Sequence, residues 1–272
     1  VPNTQAHKDC GEYLAKQLEK FGAKVYNQYA DLEAWDGTIL KARNIIGAYN
    51  PDSKKRIMLC AHWDSRPYAD YDADEKNHKK PIDGANDGAS GVGVLLEIAR
   101  QIQKEAPTVG IDIIFFDAED YGTPAWHRGI YKPHDWCLGS QYWGRTPHVQ
   151  DYYARYGILL DMVGGKGGTF YYEPYSYRTA RKEVKKIWEK AHELGYGSYF
   201  VKQEGSEVTD DHVYVNQLAR IPCVDIINYD PVYENSSFGP TWHTVNDNIS
   251  NIDRNTLKAV GQTVMDVIYN EK

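Results

Sequence analysis

Apolar residues along this chain recur at two spacings, one typical of helices and one typical of buried strands. In residues 6–21 they fall three or four positions apart and Gly22 follows them, so a helix is predicted there. Further helices are predicted at 88–105, 179–195 and 255–270. Short apolar runs predict strands at 23–30, 38–49, 56–62, 110–117, 156–163 and 220–229.

The predicted strands and helices alternate through the middle of the chain. This order predicts an α/β fold built on a mostly parallel, mixed sheet with helices on both faces. No low-complexity linker or internal repeat marks a boundary, so we expect a single domain over residues 1–272. In such folds ligands bind beyond the carboxyl ends of the strands, so the chemistry is expected at that edge.

Acidic residues and histidines stand at the ends of the predicted strands or in the loops after them: His62, Asp64, Asp87, Glu119, Asp120, Asp161 and His243. Each alone has an ordinary alternative, because an aspartate at a helix start is more often an N-cap and a loop histidine is usually solvated. Together they are harder to dismiss, because carboxylates crowded on one edge repel one another unless a cation neutralises them. Imidazole and carboxylate ligands suit Zn²⁺, and a glutamate beside a ligating acid can carry a proton.

Two of these residues have a spacing of their own. His62 and Asp64 are two positions apart, so in an extended segment their side chains point the same way. Asp64 is therefore placed to orient His62 behind a metal site. The alternative is a histidine whose hydrogen bonds are satisfied within the core.

The segment GPTWHTVNDN places Trp242 directly before His243 in what its composition predicts is a loop. The indole ring either pins the loop to the body of the protein or faces a small pocket shared with His243. Aromatic residues make up 13% of the chain, and several tryptophans fall in predicted loops, which favours an aromatic-lined pocket.

Composition limits the kinds of molecule that the protein is expected to bind. The net charge of -7 argues against nucleic acid as a main partner. No apolar run approaches the roughly 20 residues that a membrane-spanning helix needs. The four cysteines are far apart and form no CxxC pair, so a cysteine zinc site is not expected.

A series of motifs resembles the zinc aminopeptidase superfamily and, within it, the glutaminyl cyclases of animal type and their bacterial relatives. In chain order the motifs are AHWDS, DGANDGASGVGVLLEIAR, IIFFDAED, LGSQYW, ILLDMVG, DDHVYV, IPCVDII and WHTVNDN. The resemblance runs from about residue 56 to 250 and implies the zinc aminopeptidase-like fold.

The resemblance also implies roles for individual residues. It implies zinc ligands at Asp87, Asp120 and His243, with Glu119 as the general acid and base. Asp161 and Asp210 match acids that would hold the substrate amide and share hydrogen bonds with Glu119, and the pocket tryptophans match Trp242 and Trp126. Asp120 is one methylene shorter than the glutamate usual in the family. Val92 stands where a disulfide partner of Cys60 would be, so that bridge is not expected.

The superfamily leaves three functions open. In its two-zinc aminopeptidases the matches of His62 and Asp161 are also ligands, so the residues permit one zinc ion or two. Three features favour the cyclase: Trp242 before the ligand histidine, the doublet Asp210-Asp211, and a tryptophan in the loop after Glu119 and Asp120. A non-catalytic, receptor-like binding module is disfavoured by the complete set of acids and histidines.

The implied activity is that of a glutaminyl-peptide cyclotransferase, a zinc-dependent acyltransferase. It would convert the N-terminal Gln of peptides or proteins to pyroglutamate and release ammonia, with one Zn²⁺ expected. The resemblance further implies a monomer exported to the bacterial periplasm or cell envelope.

Overall fold

The computed structural model describes residues 1–272, and a six-stranded sheet runs through its centre in the order β1-β2-β4-β3-β5-β8. The strands of this sheet are β1 (Lys24–Glu33), β2 (Ile39–Tyr49), β3 (Arg56–His62), β4 (Gly110–Phe116), β5 (Gly157–Asp161) and β8 (Cys223–Ile227). Strands β4, β3, β5 and β8 are mutually parallel, whereas β2 pairs antiparallel with both β1 and β4. The predicted mostly parallel, mixed sheet is therefore confirmed.

Helices lie on both faces of this sheet. They are α1 (Gln5–Lys20), α2 (Ala89–Lys104), α3 (Leu138–Arg145), α4 (Pro174–Thr179), α5 (Arg181–Glu193), α6 (Asp211–Tyr214) and α7 (Arg254–Tyr269). A π-helical turn at Val215–Ala219 follows α6, and a small two-stranded sheet pairs β6 (Phe170–Tyr172) with β7 (Phe200–Glu204). None of these helices combines the length and the apolar character that crossing a membrane requires.

Alternation along β3 divides the core between the two faces of the sheet. Leu59 and Ala61 belong to the larger cluster, which α1, α2, α5 and α7 cover. Met58 and Cys60 point the other way, into a smaller cluster with Trp143 of α3. A Cβ at Gly91 would collide with the carbonyl oxygen of Leu160, so a small residue is needed for α2 to pack on β5.

Predicted and observed elements differ where the backbone turns sharply. The strand predicted at 156–163 ends at Asp161, because Met162 has a φ of 50°, in the left-handed region. The strand predicted at 220–229 begins only at Cys223, after Arg220 with a φ of 57°. The pattern also missed the short elements β6, β7, α3, α4 and α6, which are too brief to show a hydrophobic period.

The parallel strands end side by side, which fixes where their loops meet. His62 pairs in register with Phe116, and Asp161 pairs with Ile227. The loops after β3, β4, β5 and β8 consequently emerge at one edge of the sheet, where the sequence predicted the chemistry.

Candidate active site

A cavity of about 610 Å³ opens at the carboxyl edge of the sheet. The loops after β3, β4, β5 and β8 line it together with residues in and around α6, and six of the lining residues are acidic. Of the residues singled out in the sequence, the following line the cavity: Asp87, Glu119, Asp120, Asp161, Asp210, Trp242 and His243. The structure thus brings together side chains that lie far apart along the chain.

Asp87, Asp120 and His243 form a compact set of buried ligand atoms. His243 Nε2 lies 3.3 Å from Asp120 Oδ1 and 3.5 Å from Asp87 Oδ2. A tetrahedral Zn²⁺ with bonds of about 2.0–2.2 Å holds neighbouring ligand atoms about 3.3–3.6 Å apart, so the spacing fits this ion. Asp87 Oδ2 and Asp120 Oδ2 are buried without a hydrogen-bond partner, as expected of carboxylate oxygens that coordinate a cation.

Local backbone geometry presents Asp87 to this set. Asp87 makes no side-chain cap on α2, whose N-cap position is Gly88, so the N-cap alternative does not hold. The Asp247 carboxylate accepts the backbone N–H groups of Asn86 and Asp87 at 2.8 and 3.0 Å. Gly88 has a φ of 87°, and a Cβ there would lie 2.7 Å from His62 Cε1, so a glycine is required beside the ligand.

His62 lies at the centre of a second set. His62 Nε2 is 3.0 Å from Asp87 Oδ1 and 3.3 Å from Asp161 Oδ1. Asp87 therefore directs one carboxylate oxygen to each set, and the donors accommodate one ion or two. Asp64 lies 3.5 Å from His62 Nδ1, as the spacing of the two residues predicted.

Asp64 has a further contact that the sequence did not reveal. Its carboxylate accepts the backbone N–H groups of Glu119 and Asp120 at 3.0 and 3.2 Å. It thereby fixes the turn after β4 that carries both the predicted proton carrier and a predicted zinc ligand.

Glu119 lies in the cavity wall beside Asp210 and Cys137. Burial, opposed in part by His62, raises the pKa of Glu119 well above its ordinary value, and the neighbouring carboxylates add to the rise. Burial likewise raises the pKa of Asp210 to about 7, with the charge of Asp161 acting in the same direction. A carboxyl group perturbed in this way can exchange protons near neutral pH.

The hydrogen bond that Glu119 accepts comes from an unexpected donor. The Cys137 thiol donates to Glu119 Oε1 at 3.1 Å, whereas Asp161 and Asp210 make no hydrogen bond with Glu119, contrary to the expectation. Asp161 Oδ1 is directed at His62, and Asp210 Oδ1 accepts the N–H of Asp211 at the start of α6. Asp210 therefore acts on Glu119 through its charge, which raises the pKa of Glu119.

Aromatic rings form one wall of the cavity around His243. Trp242 stacks on the imidazole with ring centroids 3.8 Å apart and an interplanar angle of 22°. Tyr71 and Phe238 flank the indole at 4.4 and 4.8 Å. Trp242 thus both packs against its neighbours and faces the pocket, so the two readings of its loop are compatible.

Trp126 does not line this cavity, contrary to the prediction. Its ring packs against Tyr68 and His78 instead. The second tryptophan of the cavity is Trp136, whose ring lies nearly parallel to His243 at 6.0 Å. The N–H of Cys137 donates to the carbonyl of Glu119 at 2.9 Å, so the end of this long loop, and not its middle, returns to the site.

Comparison with known proteins identifies the family to which this chain belongs. The model of peptidase family M28 matches residues 44–268. The chain belongs to peptidase family M28. This M28 protein is also similar to solved structures over its whole length. With the crystal structure of Bacteroides thetaiotaomicron glutaminyl cyclase bound to N-acetylhistamine it shares 63% identity and a TM-score of 0.98, covering 100% of this chain and 92% of that one.

Two further relatives of this M28 protein differ in the activity they are named for. A leucine aminopeptidase precursor from Bacteroides thetaiotaomicron has 62% identity and a TM-score of 0.96, with 100% of this chain and 91% of that chain covered. The glutaminyl-peptide cyclotransferase of Bos taurus is 28% identical over 79% of this chain. The M28 chain spans only 62% of the length of that bovine enzyme.

Four residues at the site had no predicted role: Arg66, Asp70, Trp136 and Cys137. Trp136 and Cys137 directly precede the motif LGSQYW, Arg66 directly follows AHWDS, and Asp70 lies four residues further on. Proximity to a motif was therefore the available signal, but it could not distinguish these residues from other loop residues.

Proposed function

We propose that this M28 protein is a zinc-dependent glutaminyl-peptide cyclotransferase, which converts N-terminal Gln of peptides and proteins to pyroglutamate and releases ammonia. The observation that carries the proposal is the tryptophan stacked on the predicted ligand His243. The 63% identity with a glutaminyl cyclase across the whole of this chain supports the same activity.

Asp87, Asp120 and His243 would hold one Zn²⁺, which when bound supplies Lewis acidity towards the γ-carbonyl group of the substrate Gln. Two further acids that line the cavity, Asp161 and Asp210, present negative charge to the incoming α-ammonium group. The substrate amine and its target carbon belong to one residue, so positioning accounts for much of the expected rate.

Glu119 is the group that moves protons. It takes a proton from the α-ammonium group, and the freed amine forms a bond to the amide carbon Cδ while the bond between Cδ and the amide nitrogen breaks. Glu119 returns that proton to the departing nitrogen, and the second proton lost by the α-nitrogen leaves with ammonia as ammonium. The raised pKa of Glu119 suits both transfers.

The aromatic wall has two tasks in this scheme. Trp242 and Trp136 pack against the methylene groups of the Gln side chain, and they exclude water from the reacting carbon. Exclusion matters because an attacking water would hydrolyse the substrate, whereas a dry pocket leaves the α-amine as the nucleophile.

A two-zinc aminopeptidase is the second candidate, and one observation favours it. His62, Asp161 and Asp87 form a second compact ligand set beside the first. Asp87 would then belong to both sets, and the bound zinc would activate water for hydrolysis of the N-terminal peptide bond. The similarity to a leucine aminopeptidase precursor is consistent with this alternative.

One paired assay separates the two activities. The zinc-loaded protein is incubated with a Gln-initiated peptide and with a Leu-initiated chromogenic amide, and bound zinc is counted. Ammonia release from the first substrate alone, with about one zinc per chain, is expected of the cyclase. Leucine release with two zinc ions per chain would contradict the proposed cyclotransferase activity. Glu119→Gln should abolish either activity, so it tests the site and leaves the choice between the activities open.

We further propose that the protein acts as a monomer outside the cytoplasm, in the periplasm or cell envelope. The precursor among its similar structures supports export. Fractionation of the producing cells and size-exclusion chromatography of the purified protein test the two statements separately.

A further inference from the structure

A buried ion pair lies directly behind the predicted zinc ligands. Arg66 Nε and Nη2 donate to the two carboxylate oxygens of Asp70, each at 2.7 Å. The Arg66 side chain is 0% exposed and that of Asp70 is 1% exposed. Desolvating such a pair costs about as much as its attraction returns, so stability alone does not account for its position.

Asp70 faces the side of His243 that points away from the other predicted ligands. Its Oδ1 lies in ion-pair contact with His243 Nδ1 at 3.4 Å, and no other polar group satisfies this buried nitrogen. The neighbouring backbone is attached to the same loop, because the N–H of Tyr71 donates to the His243 carbonyl at 3.1 Å. The Val245 N–H donates to Asp72 Oδ2, also at 3.1 Å, so residues 70–72 hold His243 and its loop together.

Arg66 extends these contacts to a second predicted ligand. Its Nη1 donates to the Asp120 carbonyl at 3.0 Å and lies 3.4 Å from Asp120 Oδ1. The guanidinium also lies over the ring of Trp136, 4.5 Å from its centroid. One buried cation therefore touches the support of His243, the ligand Asp120 and a wall of the substrate cavity.

We propose that Arg66 and Asp70 are positioning residues that preform the zinc site. Asp70 holds the ring of His243 so that Nε2 faces Asp87 and Asp120, and Arg66 fixes Asp70 relative to Asp120. A carboxylate behind a ligating histidine sets the tautomer and orientation of the ring and increases its basicity. The proposal rests on the ligand assignment within the proposed function and is independent of whether the reaction is cyclisation or hydrolysis.

The chain contains a matched control for this pair. Arg56 Nε and Nη2 donate to Asp112 at 2.7 and 2.6 Å in another buried ion pair. Arg56 begins β3, at the opposite end from His62, and neither partner lines the active-site cavity. Substitutions in this pair report what the loss of a buried ion pair does to the fold without touching the metal ligands.

The experiment compares Asp70→Asn with Asp112→Asn. Zinc affinity is measured on the full chain by competition with a chromophoric chelator, without substrate, and unfolding of the metal-free proteins is followed in parallel. Asp70→Asn should weaken zinc binding about 10–100-fold. Asp112→Asn should lower the melting temperature of the metal-free protein but leave zinc affinity within twofold of the wild type.

Two results would overturn the proposal: zinc affinity of Asp70→Asn within twofold of the wild type, or an equal loss of affinity in Asp112→Asn. If Asp70→Asn does not fold, Arg66→Lys and Arg56→Lys replace the two variants and are judged by the same criteria, because lysine keeps the charge but loses the paired contact. A wild type that binds no zinc would contradict the ligand assignment itself, and is thus distinguishable from failure of the positioning role.

Discussion

At the scale of single residues, the aromatic wall of the site depends on which tryptophan ring faces the cavity. Trp242 and Trp126 both lie in loops, yet only Trp242 reaches the cavity, where it stacks on His243. Its ring also packs between Tyr71 and Phe238, so removal of the indole opens the wall without removing every support of the loop.

We expect Trp242→Ala to lower kcat/KM for a Gln-initiated peptide by roughly 10–100-fold, because a buried aromatic contact contributes about 1.5–3 kcal/mol. Bound zinc should stay unchanged, since His243 keeps Asp87, Asp120 and Asp70 around it. Steady-state kinetics and zinc analysis check both statements. Trp126→Ala is the matched control and should leave kcat/KM unaltered. Loss of zinc in Trp242→Ala would mean that the ring mainly holds the loop.

The sequence predicted the main members of the site and Asp64 as a support of His62, but not the other supports. Carboxylates and histidines at strand ends are conspicuous because their charge is costly to bury without a cation. Roles for Arg66, Asp70 and Cys137 were not predicted, because contacts between residues far apart in the chain leave no periodic pattern in the sequence. Trp126 was predicted to line the pocket, where the structure has Trp136. The path of a long loop depends on contacts that only the folded chain reveals.

At the scale of elements, the start of α2 shows how backbone conformation serves the site. Gly88 stands between Asp87 and the first turn of the helix with a φ of 87°. The helix and β5 approach closely at Gly91, and β3 ends at His62 beside Gly88. The small residues that open α2 thus serve both the packing of the helix and the approach of a ligand.

Gly88→Ala should destabilise the protein by more than Gly22→Ala and should also weaken zinc binding. Both glycines have φ near +86°, so alanine adds about 1–2 kcal/mol of backbone strain at either position. At Gly22 the new Cβ meets nothing within 4 Å, whereas at Gly88 it lies 2.7 Å from His62 Cε1. Urea unfolding and zinc titration of the two variants make the comparison. Equal losses of stability with unchanged zinc affinity would show that the clash relaxes freely.

The long elements were predictable because the helices bury one face over several turns and the central strands are continuous buried apolar runs. The α2 and α7 helices and strands β3 and β4 lie within a residue or two of their predicted bounds. The short helix α6 could not be found in this way, since it has only four residues and begins at an aspartate doublet already interpreted as chemistry. Its position is set by packing against β5 and β8.

At the scale of the whole molecule, a half-buried histidine outside the active-site cavity links stability to pH. His148 packs against Tyr26 and Tyr152, and its Nδ1 accepts a hydrogen bond from Trp143 Nε1 at 3.2 Å. Burial lowers the pKa of His148 from 6.5 to about 4. Between these two values the unfolded chain binds a proton that the folded chain does not.

Stability should therefore fall as the pH decreases from 6.5 towards 4, by about 1.4 kcal/mol per pH unit from this residue. His148→Gln retains an acceptor for Trp143 and binds no proton, so its stability should decline less over that interval. Urea unfolding of both proteins at several pH values gives the difference, in which the contributions of all other groups cancel. Parallel stability curves would contradict the lowered pKa.

The order of the predicted zinc ligands along the chain also determines when the site can form during protein synthesis. Asp87 follows β3 and Asp120 follows β4, whereas His243 comes more than 120 residues later, after β8. A growing polypeptide on the ribosome therefore cannot bring the three predicted zinc ligands together until His243 has been translated. A product truncated before His243 would lack one predicted ligand, and we expect it to bind zinc less tightly than the chain that contains all three.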